Sequence, residues 1–82
     1  MKLDNLRKKK RIFNQLLKKA EEREKRGFFE GAALAYIEAA NVFPQNIYPE
    51  KTAGCFYNAG RQYWHAKKKH ASGKLLVTRL ND

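Results

Sequence analysis

The chain has 82 residues, 43% of them hydrophobic, and carries 18 Lys and Arg against 8 Asp and Glu, a formal charge of +10. That length holds at most one small domain, whose core alone supplies about 3–5 kcal/mol, and its single cysteine excludes an internal disulfide. So large a positive excess points to an anionic partner: nucleic acid, an acidic protein surface or anionic lipid.

Residues 1–17 are basic but contain no long apolar run and no small-residue cleavage site, so they do not read as a secretory signal. No stretch approaches the roughly 18 continuous apolar residues of a membrane span. Glu21, Glu22 and Glu24 follow the basic run too closely for an organellar presequence. The expectation is an intracellular protein, cytoplasmic in preference to organellar and not secreted.

Residues 3–26 lack Gly and Pro and place Leu3, Leu6, Phe13, Leu16, Leu17 and Ala20 at helical intervals, which predicts a first helix whose residues 1–12 form a basic extension. Glu21 and Lys25, and Glu22 and Arg26, are spaced i,i+4, and Gly27 supplies a left-handed cap that reverses the chain. A second helix is expected over residues 28–43, with Phe29, Ala32, Ala33, Tyr36, Ala39, Ala40 and Phe43 forming its apolar stripe and Pro44 ending it.

Pro49 suits the first turn of a third helix, and Glu50 beside it favours the positive helix end. One face of that helix collects Ala53, Tyr57, Gly60 and Trp64, and another collects Phe56, Ala59, Tyr63 and Ala66. An arc so broadly apolar predicts a helix sandwiched between neighbours, and Gly60 inside it predicts close backbone packing, since Gly costs about 1 kcal/mol there. Lys67, Lys68, Lys69 and His70 interrupt the apolar pattern, so the turn is placed there in preference to Arg61. A fourth helix then covers residues 70–80, with Leu75, Leu76 and Leu80 facing inward. The predicted fold is all-α: one small domain of two antiparallel helical hairpins, residues 13–46 and 47–82.

Gly27-Phe28-Phe29 followed by Ala32, Tyr36, Ala39, Pro44 and Asn46 resembles the tetratricopeptide repeat, a 34-residue helical hairpin. Gly54 and Tyr57 fall where the next repeat's Gly and Tyr belong. Departures are Leu16 where the family often has Trp, Ala20 for Gly, Arg23 for Tyr, and Arg61 at the expected turn Gly. The phrases EGAALAYIEAANVF, TAGCFYNAG and KKHASGKLL are also similar to the longer-helix repeats of the soluble attachment proteins (SNAPs) of vesicle fusion. The resemblance spans residues 16–80 and implies a right-handed α-α repeat whose surface grips other helices or extended segments. The carboxy-terminal part through which SNAPs engage their ATPase has no counterpart, and that activity is not carried over.

Arg7, Lys8, Lys9, Lys10 and Arg11 form the strongest candidate site, with a second cluster at Lys67, Lys68 and Lys69. Both read as contacts for a protein partner or phosphate; a merely solvated charge run is the alternative. Phe28 is a candidate exposed apolar contact, whereas Phe29 takes the packed turn position. Tyr36, Phe43, Phe56, Tyr57, Tyr63 and Trp64 are read as core in preference to base-stacking platforms. Cys55 and His65 lie ten residues apart on one helix, about 15 Å at 1.5 Å per residue, too far for a base to activate the thiol. No catalytic constellation, metal-ligand spacing, cofactor motif or small-molecule substrate site is expected.

The functional expectation is a non-catalytic interaction or assembly subunit that docks onto an anionic or helical protein partner in a larger complex. A small basic RNA-binding subunit of a ribonucleoprotein such as a ribosome is the alternative. A vesicle-fusion adaptor meeting an anionic membrane surface comes third.

Overall fold

With neither Gly nor Pro before Gly27, nothing interrupts the first helix, and α1 runs over Lys2–Lys25. It closes through Gly27, whose φ is +78°. Phe28 N–H donates to Arg23 C=O at 2.8 Å and Gly27 N–H to Glu24 C=O at 2.9 Å, the paired six-to-one and five-to-two bonds of a Schellman cap. The chain reverses there, as the sequence predicts. The computed structural model describes the backbone of residues 2–44 and 47–81 and the side chains of residues 5–44 and 47–69. Among them the chain is all-helical: α1, then α2 over Phe29–Ala40 and α3 over Pro49–Asn81, with no strand.

Helix α2 packs against both α1 and α3. Its buried residues are Gly31, Ala32, Ala33, Ala35, Tyr36, Ala39 and Ala40, nearly all small, so its neighbours can approach from two sides at the short end of the usual 8–10 Å interaxial range. Phe13 of α1 clusters with Ala39, Ala40, Phe43 and Cys55. Further along α1, Ala20 clusters with Ala33, Ala35, Tyr36 and Ala59, and Leu17 touches both groups. Contacts therefore descend along α2 as they rise along α1 and along α3. The Phe13 and Phe43 rings lie 5.6 Å apart at 49°, and Tyr48 meets Phe43 edge-on at 4.9 Å.

The boundaries differ from expectation at two places. Helix α2 ends at Ala40 instead of residue 43: Asn41 N–H is shared between Ile37 and Glu38 carbonyls, and Val42 N–H turns to Ala39 C=O, a tightening typical of helix ends. More consequentially, the turn expected at residues 67–70 is absent, because α3 continues to Asn81 as one 33-residue helix. Nothing in residues 67–69 breaks a helix, since lysine is a good helix former. The separate fourth helix, and with it the second hairpin, is not formed. The expected inward packing of Leu75, Leu76 and Leu80, and the positions of Asn46 and of the His70 side chain, lie outside the described residues.

The expected sandwiching of α3 is also corrected. Among its described side chains the buried positions are Thr52, Cys55, Ala59, Gln62 and Ala66, a narrow seam at alternating three- and four-residue steps. Tyr57 is 69% exposed, Trp64 58%, Phe56 44% and Tyr63 42%. Gly60 does not serve a close contact, because a Cβ built there, or at Gly54, meets nothing within 4 Å.

Candidate docking surfaces

The structure keeps the two predicted basic clusters apart. Arg7, Lys8, Lys9, Lys10 and Arg11 are all exposed on the first half of α1, where Lys10 Nζ lies 5.9 Å from the Tyr48 ring. Lys67, Lys68 and Lys69 are exposed at the other end, with Lys69 Nζ donating to Gly27 C=O at 3.5 Å. The fourteen steps of α1 between Arg11 and Lys25 span about 21 Å at 1.5 Å each. They are two ends, not one patch.

At the Gly27 end, Lys69 and the expected apolar contact Phe28 are joined by Arg23 and Arg26, which were not among the expected contacts. Arg23, Arg26, Gly27, Phe28 and Lys69 line an open cavity of about 390 Å³. Arg23 is held by a bond from its Nη1 to Gly31 C=O at 2.9 Å, and Phe28 is 62% exposed with its ring folded over Gly31, where a Cβ would collide with it. In sequence Arg26 stands as the i,i+4 partner of Glu22 and Arg23 as a departure from the repeat; the reversal at Gly27 brings both beside Phe28 and Lys69.

The largest feature missed from sequence is the outer face of α3. Residues 53–59 and 60–66 form two matching heptads, AGCFYNA and GRQYWHA, and positions seven apart lie about 20° from each other around a helix. The third and seventh positions, Cys55 with Gln62 and Ala59 with Ala66, are buried against α1 and α2. The fourth and fifth positions, Phe56 with Tyr63 and Tyr57 with Trp64, make two exposed aromatic ridges. Ala53 and Gly60 lie between those ridges as a trough. Beside the Tyr63 ridge an open groove of about 420 Å³ is lined by Glu30, Leu34, Tyr63, Ala66 and Lys67, and Leu34 is itself exposed. The seven-residue repeat was the available signal.

Cation placement along α3 is one-sided: residues 51–69 contain Lys51, Arg61, Lys67, Lys68 and Lys69 and no Asp or Glu. Lys68 Nζ sits 4.9 Å from the Trp64 ring centroid, and His65 lies 5.1 Å from the same ring and 5.4 Å from that of Phe29. Exposed cation-π pairs of this kind contribute roughly 0.5–1 kcal/mol. The Cys55 thiol is buried, and desolvation pushes it above its ordinary value of 9.0, which keeps it protonated and a poor nucleophile. Among the described residues no group of three or more His, Cys, Asp and Glu could hold a metal ion. No helix among them is long and apolar enough to cross a membrane.

Comparison with known proteins finds no matching family model, no matching curated protein and no matching solved structure.

Proposed function

We propose that the chain is a non-catalytic assembly subunit, built on a tetratricopeptide-like or SNAP-like helical repeat, that docks onto an anionic or helical protein partner through α3 and its basic ends. The observation that carries this reading is the exposure of Phe56, Tyr57, Tyr63 and Trp64 along one face of α3. A contiguous aromatic surface on so small a body is characteristic of an interaction site, and Tyr and Trp are the residues that most often anchor interfaces. Support for the repeat comes from Gly27 at φ +78° and from the burial of Ala32, Tyr36 and Ala39 at the repeat's small and aromatic positions.

A ribonucleoprotein subunit is the second reading, favoured by the exposed run Arg7, Lys8, Lys9, Lys10 and Arg11. Phosphate contacts there would lower log affinity by about 0.9 per log unit of salt for each duplex phosphate neutralised. Affinity purification of the full chain from native lysate, with and without nuclease, separates the two. Protein partners retained after nuclease treatment support the assembly subunit, and partners lost with the RNA support the second reading. Reversing the charge of Lys8, Lys9 and Lys10 together then tests whether the amino-terminal cluster takes part.

A further inference from the structure

Building on the assembly-subunit reading, we infer that the Ala53/Gly60 trough of α3 seats an acidic amphipathic helix of another protein. Large aliphatic side chains of that helix, seven residues apart, enter between the two aromatic ridges. Gly60 is the first reason. It lies mid-helix, where glycine is disfavoured, yet no neighbour among the described residues requires it, because an added Cβ meets nothing within 4 Å. The missing side chain leaves a solvent-exposed hollow that a docking side chain can enter.

Spacing is the second reason. Ala53 and Gly60, like the residues of each ridge, are two helical turns apart, about 10.5 Å. That interval repeats along any helix laid at a shallow angle, so knobs seven residues apart drop into successive hollows. It suits a stacked nucleic acid poorly, since aromatic platforms for successive bases must be much closer, and the Trp64 ring already carries Lys68 and His65.

Charge selects the sign of the partner. With Arg61, Lys67 and Lys68 on the trough's side of α3, Lys51 and Lys69 being turned to the Phe13 and Tyr48 rings and to the Gly27 carbonyl, and a chain at +10, a second copy would bring a like-charged face to the same surface. A helix flanked by Glu and Asp brings the complementary one.

The test uses the full chain and a synthetic peptide of about four heptads, with Leu at the a and d positions, Glu at e and g, and no aromatic residue. Trp64 is the only tryptophan in the chain, so its emission reports the site directly. Saturable blue-shift of that emission is expected on adding the peptide, and none with a peptide carrying Lys in place of Glu. Gly60→Leu, which fills the trough, should weaken binding about tenfold or more, and Gly60→Ala less, while neither lowers the melting temperature. Unchanged Trp64 emission, or equal affinity for the wild type and Gly60→Leu, overturns the inference. Binding lost on reversing Lys8, Lys9 and Lys10 but unaffected by Gly60→Leu overturns it too, while leaving the assembly reading in place through the basic end. A chain that dimerises alone in sedimentation, and ceases to with Gly60→Leu, assigns the trough to a second copy instead. Displacement of the peptide by oligouridylate, with the same Trp64 shift, assigns it to RNA.

Discussion

Gln62 of α3 donates from Nε2 to Oε1 of Glu24 on α1 at 2.7 Å, a bond between residues 38 apart that joins the two helices flanking α2. Gln62 is 1% exposed, and its own Oε1 is buried without a hydrogen-bond partner among the described residues. The carboxylate of Glu24 can only accept, so it fixes which end of the amide faces it. A hydrogen bond to a charged acceptor contributes about 1.5–3 kcal/mol. Gln62→Ala should therefore lower the unfolding free energy by about 2 kcal/mol, seen as a lower urea midpoint at unchanged slope. In a Glu24→Ala background the same substitution should cost clearly less; equal costs in both backgrounds would mean the pair is not coupled.

Three glycines should respond with different signs to Ala. Gly60→Ala places its Cβ in open space on an exposed helix and should stabilise the chain by about 0.5–1 kcal/mol. Gly27→Ala forces a side chain into φ +78° and should cost about 1–2 kcal/mol. Gly31→Ala collides with the Phe28 ring, which is exposed and free to swing aside, so its main effect should be a displaced Phe28. Thermal melts of the three variants check the order, with about 4–8 °C per kcal/mol for a domain of this size.

Phe13 anchors the amino-terminal half of α1 against Phe43 and Cys55, and Lys51 Nζ lies 5.7 Å from its ring centroid. Truncating a buried Phe to Ala costs about 3–5 kcal/mol, comparable to the roughly 3–5 kcal/mol that a core of this size supplies. Phe13→Ala should abolish the cooperative melt of the isolated chain at 25 °C, followed by far-UV circular dichroism. A cooperative melt within a few degrees of the wild type would place the core elsewhere.

Alkaline pH should destabilise the chain through Tyr36 and Cys55. Burial raises both above their ordinary values of 10.0 and 9.0, and nearby Glu24 and Glu21 raise Tyr36 further. Above those ordinary values the unfolded chain loses protons that the folded chain keeps, so stability is full below about pH 8 and falls as pH rises through 9 and 10. Tyr36→Phe should flatten the upper part of that fall, measured by urea unfolding at several pH values. An equal slope in the variant would assign the pH dependence to other groups.

The first two helices were legible because their signals agree: an unbroken helical period before Gly27, a left-handed cap at it, and an alanine stripe after it. α3 was not, because ordinary hydrophobicity ranks Phe, Tyr and Trp above Cys, Ala and Gln as core residues. α2 meets its neighbours mostly through small residues, so the helices approach closely and the seam favours small side chains, with Gln62 admitted through its hydrogen bond to Glu24. Cys55, Ala59 and Ala66 therefore went inside with Gln62, and the four aromatics stayed out. The basic residues were easy to name and hard to group. That Lys69 meets the Gly27 carbonyl while Arg7, Lys8, Lys9, Lys10 and Arg11 lie at the other end follows from how the helices reverse, which composition does not encode.

Placing α2 between its two chain neighbours also sets how quickly the molecule assembles. Each major interface joins consecutive helices, so most contacts close over short stretches of chain, and such topologies fold in microseconds to milliseconds. Among the described residues, the side-chain bonds with the greatest loop to close are Gln62 to Glu24 and Lys69 to Gly27, across 38 and 42 positions. Both tie α3 to α1 or its cap. Substitutions at Gln62 should accordingly appear mainly in the unfolding rate, leaving the folding arm of the chevron nearly unmoved.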